Sequence, residues 1–147
     1  MTLKLFSDYS LRILMFAALR EKGRFTVDEV ARVYRLSRHH VAKAVNFLTR
    51  HGYLRAQRGP GGGLSLGRPP EQIPLGELVR RTEQGAPLVE CFDAATNTCP
   101  LIHACKLQQA LAEASAAFFD TLDRYTLADL VSKPAPLRRV LEASLPA

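Results

Sequence analysis

Every cysteine of the chain, Cys91, Cys99 and Cys105, falls within 15 of its 147 residues, and His103 lies between the last two. An odd number of thiols argues against a disulfide framework. Soft sulfur donors on one irregular stretch suit a metal centre instead. The spacing Cys-x7-Cys-x5-Cys lacks the Cys-x2-Cys pairs of most structural zinc sites, although a Cys3His zinc site using His103 is chemically open. It meets equally well what an iron–sulfur cluster needs, thiolates on a backbone free to wrap it. Three thiolates leave such a cluster one ligand short. His103, Asp8 or another carboxylate from elsewhere in a dimer, or a small exogenous molecule could supply the fourth. Free cysteines acting as small apolar residues or as a thiol switch are the plainer alternative.

A second group of side chains suits a polyanion. Residues 1 to 68 carry 13 Lys and Arg against 4 Asp and Glu, a net +9, while the remainder carries 7 against 10, a net −3. A basic half joined to a mildly acidic one points to contact with phosphates, whose neutralisation releases counterions. Ser37, Arg38, His39, His40 and Lys43 open one predicted helix, where a recognition helix meets base edges, and Arg55 and Arg58 lie on the strand that follows. Gly59-Pro60-Gly61-Gly62-Gly63 between predicted strands is a turn. As a nucleotide cradle it lacks the following Lys-Ser/Thr and opens no helix.

The elements that must position these groups read as mainly α. Leu11, Leu14, Met15, Ala18 and Leu19 predict a helix from Ser7, as N-cap, to about Arg20, with Asp8 in its first turn and Arg12 one turn on. Lys22-Gly23 stops it. Thr26-Val27-Asp28-Glu29 has capping-box spacing for a second helix to about Tyr34. After a turn at Arg35-Leu36, Ser37 caps a third, with Val41, Ala44, Val45 and Leu48 inward and His39, Lys43, Asn46 and Arg50 outward. Strands at Tyr53–Arg58 and Leu64–Leu66 then make the hairpin of a winged helix-turn-helix, residues 1–70.

A fourth helix starts at Pro74 and runs to about Thr82. Beyond the cysteines, Leu107, Leu111, Ala114, Phe118, Leu122 and Tyr125 predict an apolar-faced helix of about five turns suited to pairing with its twin. Residues 71–131 thus form the cysteine loop and dimer helix, ending in a capped turn at Thr126-Leu127-Ala128-Asp129. The tail 132–147, with Pro134 and Pro136, is expected to be loosely ordered. The opening Met-Thr-Leu-Lys-Leu-Phe-Ser-Asp has no charged start followed by an apolar run and a small-residue cleavage site, and no 18-residue apolar run occurs, so a soluble cytoplasmic protein with no membrane partner is expected. Nor can a nucleophile, base and orienting group be assembled from neighbouring motifs, which argues against an enzyme.

Several motifs follow one order over residues 2 to 131: Asp8-Tyr9-Ser10-Leu11-Arg12, the helix Ser37 to Lys43, Gly52-Tyr53-Leu54, Arg58-Gly59-Pro60-Gly61-Gly62-Gly63-Leu64, Leu88-Val89-Glu90-Cys91-Phe92, the later two cysteines, and Tyr125-Thr126-Leu127-Ala128-Asp129-Leu130. Together they resemble the NsrR branch of the IscR/NsrR-type winged-helix regulators. The resemblance implies a homodimeric repressor on palindromic double-stranded operator DNA that senses nitric oxide through an iron–sulfur cluster, 4Fe-4S in preference to 2Fe-2S. Nitrosylation of the irons would release the operator. It further implies Cys91, Cys99 and Cys105 as ligands, Asp8 of the partner subunit as the fourth, and Arg12 close by. Gln108 stands where the IscR branch has its histidine ligand, and the gap from Cys91 to Cys99 is long. Two other readings are a regulator answering redox state or iron supply, and a small iron–sulfur carrier that would have no use for a recognition helix and wing.

Overall fold

Thr26 accepts the amide of Glu29 at 3.2 Å while the Glu29 carboxylate accepts the amide of Thr26 at 2.7 Å, so the second helix opens on the reciprocal cap its sequence spells. In the computed structural model, which describes residues 2–20, 23–84 and 87–144, this helix is α2, Val27–Tyr34. It follows α1, Leu5–Leu19, and precedes α3, Arg38–Arg50. Arg35 turns the chain between α2 and α3 in the left-handed region, at φ 52°. Ser37 stands at the N-cap of α3 as expected, but its hydroxyl caps no amide.

Strands β1, Leu54–Gln57, and β2, Gly63–Leu66, pair antiparallel with Leu54 opposite Leu66. Phe25 adds a further rung, exchanging two backbone bonds with Leu64 at 3.0 and 2.8 Å. The mainly α winged helix-turn-helix is therefore present, its wing braced by the segment that precedes α2. The expected inward face of α3 is the buried one: Val41, Ala44, Val45 and Leu48.

α1 differs from expectation in two ways. It begins at Leu5, not at a Ser7 cap; Ser7 is buried inside the helix and its hydroxyl donates to the Glu83 carboxylate. Its apolar face is also wider than the one-sided stripe predicted. Ile13, Leu14, Phe16, Ala17 and Leu19 are all buried, whereas Leu11, Met15 and Ala18 are only partly so, because α3, the wing and two later helices surround the helix. Of the expected Lys22-Gly23 stop, Lys22 lies outside the described residues, and Gly23 has φ +106°.

Past the wing, α4 spans Leu75–Glu83, α5 Lys106–Leu122 and α6 Leu127–Leu130. Leu75 donates to the Tyr125 carbonyl and Leu127 to the Ile73 carbonyl, both at 2.9 Å, so the start of α4 is stitched to the start of α6. Everything between is one excursion with a fastened root. Arg80 grips Asp123 through two bonds, 2.7 and 2.6 Å, and Gly76 leaves the room this needs: a Cβ there would stand 1.9 Å from Asp123 Oδ1. Ile73, Leu78 and Leu127 join the core built by the first three helices.

The tail from Lys133, expected to be loose, instead forms α7, Pro134–Ala143, up to the last described residues. Pro134 and Pro136 occupy its first turn, where amides have no intrahelical acceptor and proline is tolerated. Arg138 Nε donates to the Leu19 carbonyl at 2.9 Å, and Leu141 packs against the core.

Tyr53 is fully buried at the base of the wing, its hydroxyl donating to Glu77 Oε1 at 2.8 Å and its ring lying under the Arg68 guanidinium at 4.3 Å. Burial, then the bond to Glu77, pushes its pKa from 10.0 to about 12. Because the folded value is the higher one, this contribution is whole below pH 10 and is lost as pH rises to about 12. Tyr53→Phe should therefore cost about 1 kcal/mol in urea unfolding at neutral pH. It should also remove part of the stability lost by the parent protein across that alkaline window.

Candidate metal centre and nucleic-acid interface

The first two turns of α3 divide the expected DNA-reading residues between two neighbours. Arg38 Nε binds Asp28 Oδ1 of α2 at 2.6 Å across an exposed pair. His40 faces the Tyr9 ring of α1 at 6.2 Å, and Lys43 Nζ lies 5.9 Å over the Phe6 ring. Phe47 continues that stripe edge-on to Phe6 at 5.2 Å. Ser37, His39 and Lys43 are exposed, as are Arg55 and Arg58 on the wing side. The helix thus shows cations outward while one flank rests on the first turns of α1, where Asp8 sits.

Between α3 and the wing runs a cleft of about 630 Å³ whose lining includes Arg38, Asn46, Thr49, Arg50 and Gln57. Thr49 Oγ1 in it is buried, with no hydrogen-bond partner among the described residues. Thr49 and Arg24, which binds the wing, were not singled out by sequence. The pairing of Phe25 with Leu64 that brings Arg24 there is long-range, and no local period announces it.

The cysteine loop is held by short-range polar bonds that leave most sulfur free. Cys91 lies in a single 3-10 turn, Glu90–Phe92. The Glu90 carboxylate accepts the Thr98 amide, and bonds from Thr98 hold its carboxyl below the usual range. Asp93 accepts the Ala95 amide at 2.9 Å and the Thr96 hydroxyl at 3.1 Å, and Asn97 Oδ1 accepts the Cys99 amide at 3.1 Å. Cys105 is the N-cap of α5, its Sγ accepting the Gln108 amide at 3.4 Å, while Gln108 Nε2 donates to the Cys91 carbonyl at 3.2 Å. Gln108, at the position of the IscR-branch histidine, is therefore a brace between two cysteine segments.

All three thiols are free and half-buried, and Cys91 borders a groove of about 540 Å³ with Phe92, Gln108 and Ser115. Soft sulfur donors, one of them facing helix amides that can offset anionic charge, fit a thiolate-bound iron centre in chemistry. Among the described residues of one chain, however, no three His, Cys, Asp or Glu side chains converge on a common metal position. Asp8 is engaged with Arg12 instead, at 2.7 and 3.0 Å, and His103 is exposed in the turn before Cys105.

A helix-turn-helix followed by a hairpin wing, with an exposed cationic recognition helix, defines a winged-helix DNA-binding protein. The Rrf2 family model, described as an iron-dependent transcriptional regulator, matches residues 3–133. The chain belongs to this family. It is 42% identical to the HTH-type transcriptional regulator NsrR of Shouchella clausii, over 97% of this chain and 96% of that one. With its Bacillus subtilis counterpart it shares 41% identity over 97% and 98%. It is accordingly a transcriptional regulator of the NsrR type.

Among solved structures, a transcriptional regulator from Listeria innocua superposes with a TM-score of 0.72 at 27% identity, covering 90% of this chain and 88% of that one. The IscR of T. potens, at 18% identity, TM-score 0.70, and 100% and 93% coverage, shares the fold. No helix among the described residues is long and apolar enough to cross a membrane.

If Arg58 on the wing meets a DNA phosphate, Arg58→Gln should weaken binding to all sequences alike. The slope of log affinity against log salt should fall by about one. Fluorescence anisotropy with specific and scrambled duplexes between 50 and 200 mM salt (roughly the range over which such contacts are read) gives both quantities.

Proposed function

We propose that the chain is a homodimeric transcriptional repressor that senses nitric oxide through an iron–sulfur cluster and releases its operator in response. Cys91, Cys99 and Cys105 hold the cluster, with Asp8 of the partner subunit as fourth ligand. The observation that carries the reading is the set of three free, half-buried thiols in the loop that leads into α5, in a chain of an iron-dependent regulator family. When bound, the cluster, 4Fe-4S in preference to 2Fe-2S, supplies iron at which nitric oxide reacts.

The chain's own residues do the rest. The α5 helix has no buried residue in 17, and Leu107 on it is 67% exposed, an apolar face that a second copy would cover. Asp8 rides on α1 beside Phe6 and Tyr9, which touch Lys43 and His40 of α3. A ligand bond to Asp8 would hold the DNA-reading half in one orientation, and losing it would free that half to move. Arg12 is placed to take the Asp8 carboxylate back. The operator is then a palindromic duplex read by two copies of α3 and the wing.

Anaerobic titration with nitric oxide, following cluster absorbance and DNA retardation in one series, tests the reading. The two curves should run together; cluster loss with the operator still bound would break the coupling. A response to iron depletion or oxidant in place of nitric oxide would make iron supply or redox state the signal.

Asp8→Ala should change the absorbance and circular dichroism of the cluster while leaving the far-ultraviolet spectrum intact, since only a surface pair with Arg12, worth a few tenths of a kcal/mol, is lost from the fold. An unchanged cluster spectrum would move the fourth ligand to His103 or to a small molecule.

A further inference from the structure

Arg24 stands just before the Phe25–Leu64 rung, and its guanidinium lies along the wing tip. It donates through one nitrogen to the Gly61 carbonyl and through the other to Gln57 Oε1. The two acceptors flank the turn that carries Arg58. On the other side of the seam the packing leaves nothing spare: a Cβ on Gly63 would stand 2.8 Å from Arg24 Cβ and 3.0 Å from the Phe25 carbonyl oxygen, at φ +142°. Within the tip, a Cβ on Gly62 would stand 2.4 Å from the Gln57 carbonyl oxygen, and the Gly62 amide donates to Gly59 at 2.8 Å. Phe25 anchors the strap, fully buried and edge-on to Phe16 at 5.4 Å.

From this geometry we infer that Arg24 is a positioning residue for DNA recognition, a strap that fixes the glycine wing tip relative to α3, and not itself a phosphate contact. Its five-donor planar fork can bridge two neutral acceptors at once, which a lysine ammonium on a flexible stem does not reproduce. A glycine-rich tip without the strap samples many conformations, and DNA must then order it at the expense of affinity. Arg55 and Arg58, exposed on the same wing, remain to meet the polyanion. The inference rests on α3 and the wing being the DNA-binding face.

The test compares wild type, Arg24→Gln, Arg24→Lys and Gly63→Ala, the last pressing on the same seam without removing a charge. In free protein, amide hydrogen exchange at Gly62 and Leu64 should be faster in all three variants; unchanged exchange in Arg24→Gln and Arg24→Lys removes the strap whatever the DNA data say.

On operator DNA, both Arg24 variants should lose affinity roughly two- to tenfold. The salt slope should stay at the wild-type value, with weakened footprint protection confined to the wing-side flank. A slope lower by about one in Arg24→Gln, with wild-type affinity in Arg24→Lys, would make Arg24 a phosphate ligand and overturn the proposal. Wild-type affinity in both would overturn it too. Wild type binding no duplex in a salt-dependent way would instead strike the DNA-binding reading, while the exchange data still decide the strap.

Discussion

Burial of α1 is the constraint on which the other elements depend. Ile13 and Leu14 are wholly buried, and α3, α4, α6, β2 and α7 all rest on this one helix. A helix enclosed on so many sides must satisfy its polar groups internally, because an unpaired buried hydroxyl costs about 1–3 kcal/mol. Ser10 accordingly donates to the Phe6 carbonyl at 2.7 Å and Ser7 to Glu83. The amide of Lys4 also reaches Glu83, at 2.9 Å, so the entry of α1 is fastened to the end of α4, the last helix before the cysteine loop. Asp8 and Arg12 escape enclosure, their side chains 38% and 43% exposed. The candidate ligand therefore stands on the open flank of the least dispensable helix, and a pull on it is a pull on the core.

That arrangement explains which parts of the fold could be read in advance. The caps at Thr26 and Thr126, the inward face of α3 and the hairpin obey rules that span a few residues, and each is where such rules put it, while Pro74 stands one residue before its expected place, as the N-cap of α4. The start of α1 obeys a partner some 80 positions away, so Ser7 looked like a cap while serving as a donor to Glu83. Its stripe misled for a related reason: periodicity finds one buried face, and this helix has several. In α7 the prolines that read as breakers are in the first turn, where they break nothing. The docking of Arg138 on Leu19, 119 positions away, has no local signal at all.

The candidate site was legible in its chemistry and not in its geometry. Three cysteines within 15 residues suit a thiolate metal centre in chemistry. They cannot say that Gln108 would brace the Cys91 carbonyl and the Cys105 sulfur, or that the three sulfurs would fail to converge within one chain. The candidate DNA-facing residues divide in the same way. The stripe of α3 was visible, whereas the pairing of Arg38 with Asp28 and the contact of His40 with Tyr9 arise only once three helices meet.

Two shortages then coincide at the far end of the molecule. The α5 helix is 17 residues long without one buried side chain, and most of a helix's stability in a protein comes from packing an apolar face. The loop at its N-terminus offers three soft donors and, among the described residues of one chain, no common centre. The root beneath both is sewn by the Leu75–Tyr125 and Leu127–Ile73 bonds and clamped by Arg80 on Asp123. In the proposed dimer one partner meets both needs. Its α5 would cover the apolar face, and Asp8 of the partner subunit would approach the loop from the helix on which the proposed DNA-reading elements rest. Each cluster loop would then be completed by the half of the molecule whose grip on DNA it controls, so the site could not be filled without fixing that grip.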